Sequence, residues 1–152
     1  MNDVASTRRI DGRRRPSLRR CWLFLPGADR HALLAASSCG ADVLIQELED
    51  FTPPERRLEA RAMASEIYAA WRAAGIVVAV RVNPLETEGR ADLAEVMRGC
   101  PDVVIMSKVA EPEQVVALGE EVGRLENIES ARGIVCRRNG AAVLFPATLA
   151  AG

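Results

Sequence analysis

Ala41–Asp50, ADVLIQELED, sets an uninterrupted apolar run, Val43, Leu44 and Ile45, shortly before three carboxylates, Glu47, Glu49 and Asp50. An aliphatic, β-branched run without polar alternation reads as a parallel strand buried on both faces. The carboxyl ends of such strands are where α/β folds gather their chemistry. Glu47, Glu49 and Asp50 are therefore expected at the mouth of a sheet or barrel. Side chains alternate along a strand, which predicts Glu47 and Glu49 on one face and Leu48 and Asp50 on the other. The alternative is a solvated loop whose carboxylates only keep it in water.

Working outward, the same grammar repeats. CWLFLPG, from Cys21, predicts a short strand closed by Pro26 and Gly27, after which Asp29 can cap a helix over Arg30 to Ser38. Gly40 ends that helix and the strand of Asp42 to Gln46 follows. Thr52 can cap the next helix, with Pro53 and Pro54 in its first turn and Glu55 to Ala74 as its body; Gly75 closes it. Ile76 to Val82 predicts a third strand that ends in Arg81 and Asn83. A short helix at Leu93 to Met97 leads to a fourth strand, Asp102 to Met106, ending in Ser107 and Lys108. Pro112 opens a helix to about Leu125. Strands alternating with helices through short links are the pattern of right-handed βαβ units, in an open doubly wound sheet or in part of a (β/α) barrel.

The 152 residues are 49% hydrophobic, enough for one domain with a real core. Twenty basic against 21 acidic residues exclude a chain steered as a whole to nucleic acid. Arg8, Arg9, Arg13, Arg14, Arg15, Arg19 and Arg20 nevertheless crowd the start. Such a start could be a nucleic-acid arm or a transit peptide. Asp3 and Asp11 argue against the second and the acidic body against the first, so residues 1–19 are expected to be a disordered leader. No apolar run reaches the roughly 20 residues of a membrane span, and a cytoplasmic protein is the default. Cys21, Cys39, Cys100 and Cys136 lack zinc or disulfide spacing and read as small core residues. His31, the only histidine, reads as a helix-surface residue.

Five pieces in order, LRRCWLFLPGAD, ADVLIQELEDFTPP, VVAVRVNPLET, DVVIMSKV and IESARGIV, are similar to the HpcH/HpaI aldolase and citrate lyase β-subunit (CitE-like) family. The resemblance implies a TIM barrel using a divalent metal, usually Mg2+. The implied reaction makes or breaks a carbon–carbon bond next to a carbonyl in substrates such as citryl-CoA or malyl-CoA. Arg81 matches an arginine that grips the carboxylate of the small acid, a task suited to a planar guanidinium. Glu47 and Asp50 match the acidic strand end at the reacting centre, where they and Glu49 could hold metal-bound waters or arginines. Glu129 matches a magnesium ligand, and Arg20 and Lys108 match substrate- or cofactor-binding cations. The implied partners are a small dicarboxylate or acyl-CoA and further copies of the chain.

The sequence also departs from that pattern. A complete barrel takes roughly 200 residues or more, so the expectation is about the first half of a TIM barrel, four to five βα units over residues 20–135, with a divergent tail over 136–152. LENIES leaves only Ile128 as strand before Glu129, so that residue is not expected to reach the barrel mouth readily. After Cys136 the match stops. Either a base lost from the gene turned helix sequence into Arg137-Arg138-Asn139, or VLFPATLAAG is an altered later strand without its acidic pair. In both accounts Glu129 lacks a partner ligand. The expected function is a magnesium-dependent carbon–carbon lyase; the alternative is an inactive remnant or a CoA- or dicarboxylate-binding subunit. A third reading is a small open-sheet α/β domain with an unrelated interaction role, its strand-end charges lying on the surface.

Overall fold

Valine- and isoleucine-rich runs between glycine and proline become strands, and the alanine- and glutamate-rich stretches between them become helices. The computed structural model describes residues 9–10, 13–132 and 142–146, with side chains over 13–132. Two short strands, β1 (Arg9–Ile10) and β2 (Arg13–Arg14), pair antiparallel. The body then runs β3 (Trp22–Pro26), α1 (Arg30–Ala35), β4 (Val43–Glu47), α2 (Arg57–Ala73), β5 (Val77–Val82), α3 (Arg90–Val96), β6 (Val103–Val109), α4 (Pro112–Ala131) and β7 (Ala142–Pro146). Asp29 caps α1 as expected, accepting the Ala32 N–H at 2.9 Å. Gly75 follows α2 at φ 75°, a backbone that a side chain would strain.

The order β3-β4-β5-β6-β7 is sequential and every pairing is parallel. Sequential parallel neighbours joined by right-handed crossovers put all connecting helices on one face. Leu44, Val78, Val80, Val104 and Met106 point to that face and pack with Ile67, Tyr68 and Trp71 of α2, Leu93 of α3 and Leu118 of α4. The opposite face carries a separate cluster: Val43, Ile45, Val77, Ala79, Val103 and Ile105. A doubly wound sheet would have helices on both faces. The architecture is mixed α/β with a parallel sheet, consistent with part of a TIM-barrel-like fold. Gln46, buried on the helix side, is fully bonded: it accepts the Tyr68 hydroxyl at 2.7 Å and donates to the carbonyls of Gly27 and Ala60.

Part of the segment expected as a disordered leader docks on the sheet. Arg13 pairs with Asp102 at 2.5 Å and Arg14 with Asp42 at 3.0 Å, both at the N-terminal ends of strands. Asp102 also accepts the Val78 N–H at 2.9 Å. Asp102→Ala should cost about 2 to 3 kcal/mol, because a buried N–H and Arg13 lose their acceptor. It should also hasten tryptic cleavage after Arg13 and Arg14; denaturant melts and a digestion time course check both, and unchanged cleavage would count against the docking.

Two other expectations change. Cys21 and Cys39 are exposed free thiols rather than core residues, and Cys100 is disulfide-bonded; Cys136 lies outside the described residues. Helix α4 does not end near Leu125 but continues to Ala131, since Leu118, Val122, Leu125 and Glu129 keep one buried helical stripe. The tail expected over 136–152 is described only at β7, where Val143 pairs with Ile105. Among the described residues no helix is long and apolar enough to cross a membrane.

Candidate functional site

On the face opposite the described helices the apolar stripes end in polar residues. Alternation extends Val43 and Ile45 to Glu47, Val77 and Ala79 to Arg81, and Val103 and Ile105 to Ser107. Glu47 and Arg81 are register partners across β4 and β5. Arg81 faces Glu47 at 3.4 Å and Asp50 at 3.1 Å and is in direct contact with Glu49. Lys108 reaches Glu49 at 2.5 Å and Asp50 at 3.4 Å, and the buried Ser107 hydroxyl donates to Glu49. Lys108 takes the left-handed conformation, φ 56°, within an irregularity of β6 between Met106 and Val109. Such a backbone is uncommon outside glycine and carries strain.

The chain turns immediately after Glu47, and this turn alters the expected facing. Glu47 accepts the N–H groups of Glu49, Asp50 and Phe51 at 2.9, 3.2 and 2.6 Å. That wrapping brings Asp50 round to Arg81 instead of leaving it beside Leu48, which is buried among the helices. Thr52 does not cap α2. Its hydroxyl donates to the Glu47 carbonyl at 2.5 Å and accepts the Gly27 N–H at 2.9 Å. Gly27 lies so close that a Cβ there would collide with the Glu47 carbonyl, which explains the PG that closes β3.

Burial pushes the Glu47 carboxyl above its ordinary pKa, and the three N–H donors and Arg81 only partly counter it. Burial acts the same way on Asp50, but Arg81 and Lys108 outweigh it and hold that carboxyl below the ordinary range. In a carboxyl-carbon NMR titration the Glu47 midpoint should thus lie above the ordinary carboxylate value and the Asp50 midpoint below it. The raised Glu47 value contributes stability that is complete below its unfolded pKa and is lost as pH rises through the folded one. The depressed Asp50 value contributes stability present above its unfolded pKa and lost as pH falls through the folded one. Asp50 is half exposed, so its share is small. Matching titrations of the two carboxyls would contradict this geometry.

The structure therefore brings together Arg81, Glu47, Asp50 and Lys108, and separates the other two expected residues. Arg20 precedes β3, its N–H bonded to Asp42 at 2.8 Å, at the opposite end of the sheet from Arg81. Glu129 sits in the last turn of α4, about 25 Å along the helix from its start beside the end of β6. Its Oε1 pairs with Arg132 at 2.9 Å, and its Oε2 is buried without a hydrogen-bond partner among the described residues. The sequence placed Asn83 and Ser107 at strand ends without giving them a role. Asn83 donates to the Leu48 carbonyl at 2.9 Å and to Asp92 at 2.8 Å. The signal for Ser107 was its alternation with Val103 and Ile105; nothing marked the buried Asp92.

A magnesium ion requires free carboxylate oxygens. Glu47 is engaged by backbone N–H groups, Glu49 by Arg81, Lys108 and Ser107, and Glu129 is remote. No group of three potential ligands occurs among the described residues. As placed, these carboxylates are engaged by protein donors or remote, with only Asp50 half exposed, so they do not supply the ligand set that the resemblance implies.

Fold and cluster together define an α/β protein with a charged cluster at the carboxyl ends of parallel strands. The HpcH/HpaI aldolase/citrate lyase family matches residues 20–141, and the chain belongs to that family. It is 32% identical over 120 residues to the (3S)-malyl-CoA thioesterase of Cereibacter sphaeroides, covering 76% of this chain and 42% of that protein. It is 33% identical over 114 residues to citrate lyase subunit beta of Escherichia coli K12, covering 74% and 38%, and 31% identical over 110 residues to that of Haemophilus influenzae, covering 72% and 38%. The chain thus spans about two fifths of the length of these curated relatives.

Proposed function

We propose that this chain carries the substrate-carboxylate end of a carbon–carbon lyase acting on a CoA-linked dicarboxylate, of the citryl-CoA or malyl-CoA kind. The observation that carries the reading is Arg81, held at a strand mouth by Glu47, Glu49 and Asp50 with Lys108 beside it. The half-exposed Asp50 is the partner that can yield: its carboxylate leaves Arg81 when a substrate carboxylate takes the guanidinium fork. Arg81 and Lys108 then orient the acid, and the low-dielectric floor of Val43, Ile45, Val77 and Ala79 strengthens the pairing. The magnesium dependence implied by the family resemblance is not carried onto these residues, and no step is assigned to it. Further copies of the chain belong to the same reading: among the described residues β3 is an edge strand, with Trp22 and Leu23 exposed.

The experiment is incubation of the purified chain with malyl-CoA or citryl-CoA, with and without magnesium, following acetyl-CoA release, with Arg81→Ala as control. Release that depends on Arg81 supports the reading. A chain that binds the acyl-CoA without releasing acetyl-CoA supports the second reading, a binding subunit, which the remote position of Glu129 favours. A chain that neither binds nor cleaves contradicts both.

A further inference from the structure

The turn of residues 49–52 is held from two sides. Its N–H groups point inward to the Glu47 carboxylate. Its carbonyls point the other way, to Arg57, the first residue of α2. Arg57 Nη2 donates to the Glu49 carbonyl at 3.2 Å and Nε to the Thr52 carbonyl at 3.3 Å. The third nitrogen, Nη1, pairs with Glu88 at 2.6 Å. Glu88 also takes Arg61 Nη2 at 2.5 Å, and Arg61 Nε is pinned by the fully buried Asp92 at 2.7 Å. Arg57 is itself largely buried. An anion on one side and a cation on the other thus clamp a turn whose side chains, Glu49 and Asp50, meet Arg81 and Lys108.

We infer that Arg57 is a positioning residue. It touches none of the ionised groups at the strand mouth, yet it fixes where the Glu49 and Asp50 carboxylates stand and so sets the geometry in which Arg81 receives a carboxylate. The inference rests on the strand-mouth reading proposed above. All three nitrogen positions of the guanidinium are used in different directions, a geometry that a lysine ammonium cannot reproduce. Arg72, at the far end of the same helix, makes the same kind of contact, donating to the carbonyls of Gly99 and Cys100 at 2.9 and 2.8 Å, well away from the cluster.

The test compares wild type, Arg57→Ala, Arg57→Lys and Arg72→Ala as full chains, in two measurements. The first is NMR-resolved amide hydrogen exchange at Glu49, Asp50 and Phe51. Both Arg57 variants should exchange about tenfold faster at these three amides than wild type, while Arg72→Ala should leave them unchanged. The second is oxalate binding by calorimetry, which should weaken about tenfold in the Arg57 variants only. If Arg57→Ala fails to fold, Arg57→Lys decides. Wild-type exchange at the three amides in a folded Arg57 variant overturns the inference, as does an equal effect from Arg72→Ala. A wild-type chain that ignores oxalate overturns the substrate-site reading instead, and the exchange pattern still decides whether Arg57 sets the turn.

Discussion

Arg81→Ala should abolish carboxylate binding at the strand mouth, weakening oxaloacetate or a related acid by about a hundredfold or more, and should destabilise the chain as well. Both effects have one cause. The guanidinium is the shared partner of Glu47, Glu49 and Asp50, and two of these are buried. Removing it leaves buried carboxylates facing one another with only Lys108 to compensate, a loss of about 3 kcal/mol. Arg81→Lys separates the two consequences. A lysine restores a positive charge and much of the stability, but not the two-point fork that a carboxylate requires. Calorimetry and denaturant melts on both variants check this; full affinity in Arg81→Lys would show that charge alone is recognised.

Asp92→Ala should be the most destabilising single change away from the cluster, about 3 to 5 kcal/mol and on the order of 10 °C in melting temperature. Asp92 is fully buried and accepts three donors: Arg61 Nε at 2.7 Å, the Asn83 N–H at 2.9 Å and the Asn83 amide at 2.8 Å. Alanine removes the acceptor of all three; Arg61 keeps only Glu88, the Asn83 amide only the Leu48 carbonyl, and the Asn83 N–H is left unpaired. Asp92→Asn keeps one carbonyl acceptor and should lose roughly half as much. An Asp92→Ala chain as stable as wild type would mean that α3 is not anchored to β5 through this side chain.

The strands and helices were legible because each is a local pattern. Val43–Ile45, Ile76–Val80 and Val103–Ile105 have no other good use than buried strand, and glycines and prolines mark their ends. Helix α4 was read too short although Asn127, Ile128 and Glu129 carry no stop signal, because the expectation of a strand there came from the resemblance rather than from the residues. The facing of Asp50 was misread for a related reason: alternation holds only while the strand lasts, and Glu47 ends it by collecting three N–H groups from the turn. At the site, Arg81, Glu47 and Lys108 were visible as charges at strand ends. Arg57 and Asp92 were not, since a charge on a helix reads as solvated until tertiary packing buries it. Arg13 and Arg14 show the same limit, because their partners, Asp102 and Asp42, lie far along the chain.

The most direct measurement of the central claim is an oxaloacetate titration by calorimetry of wild type and Arg81→Lys, with and without magnesium. Saturable heat in wild type that vanishes in a folded Arg81→Lys chain is the predicted result. Equal binding by the two proteins, or none by either, would contradict a carboxylate site built around Arg81.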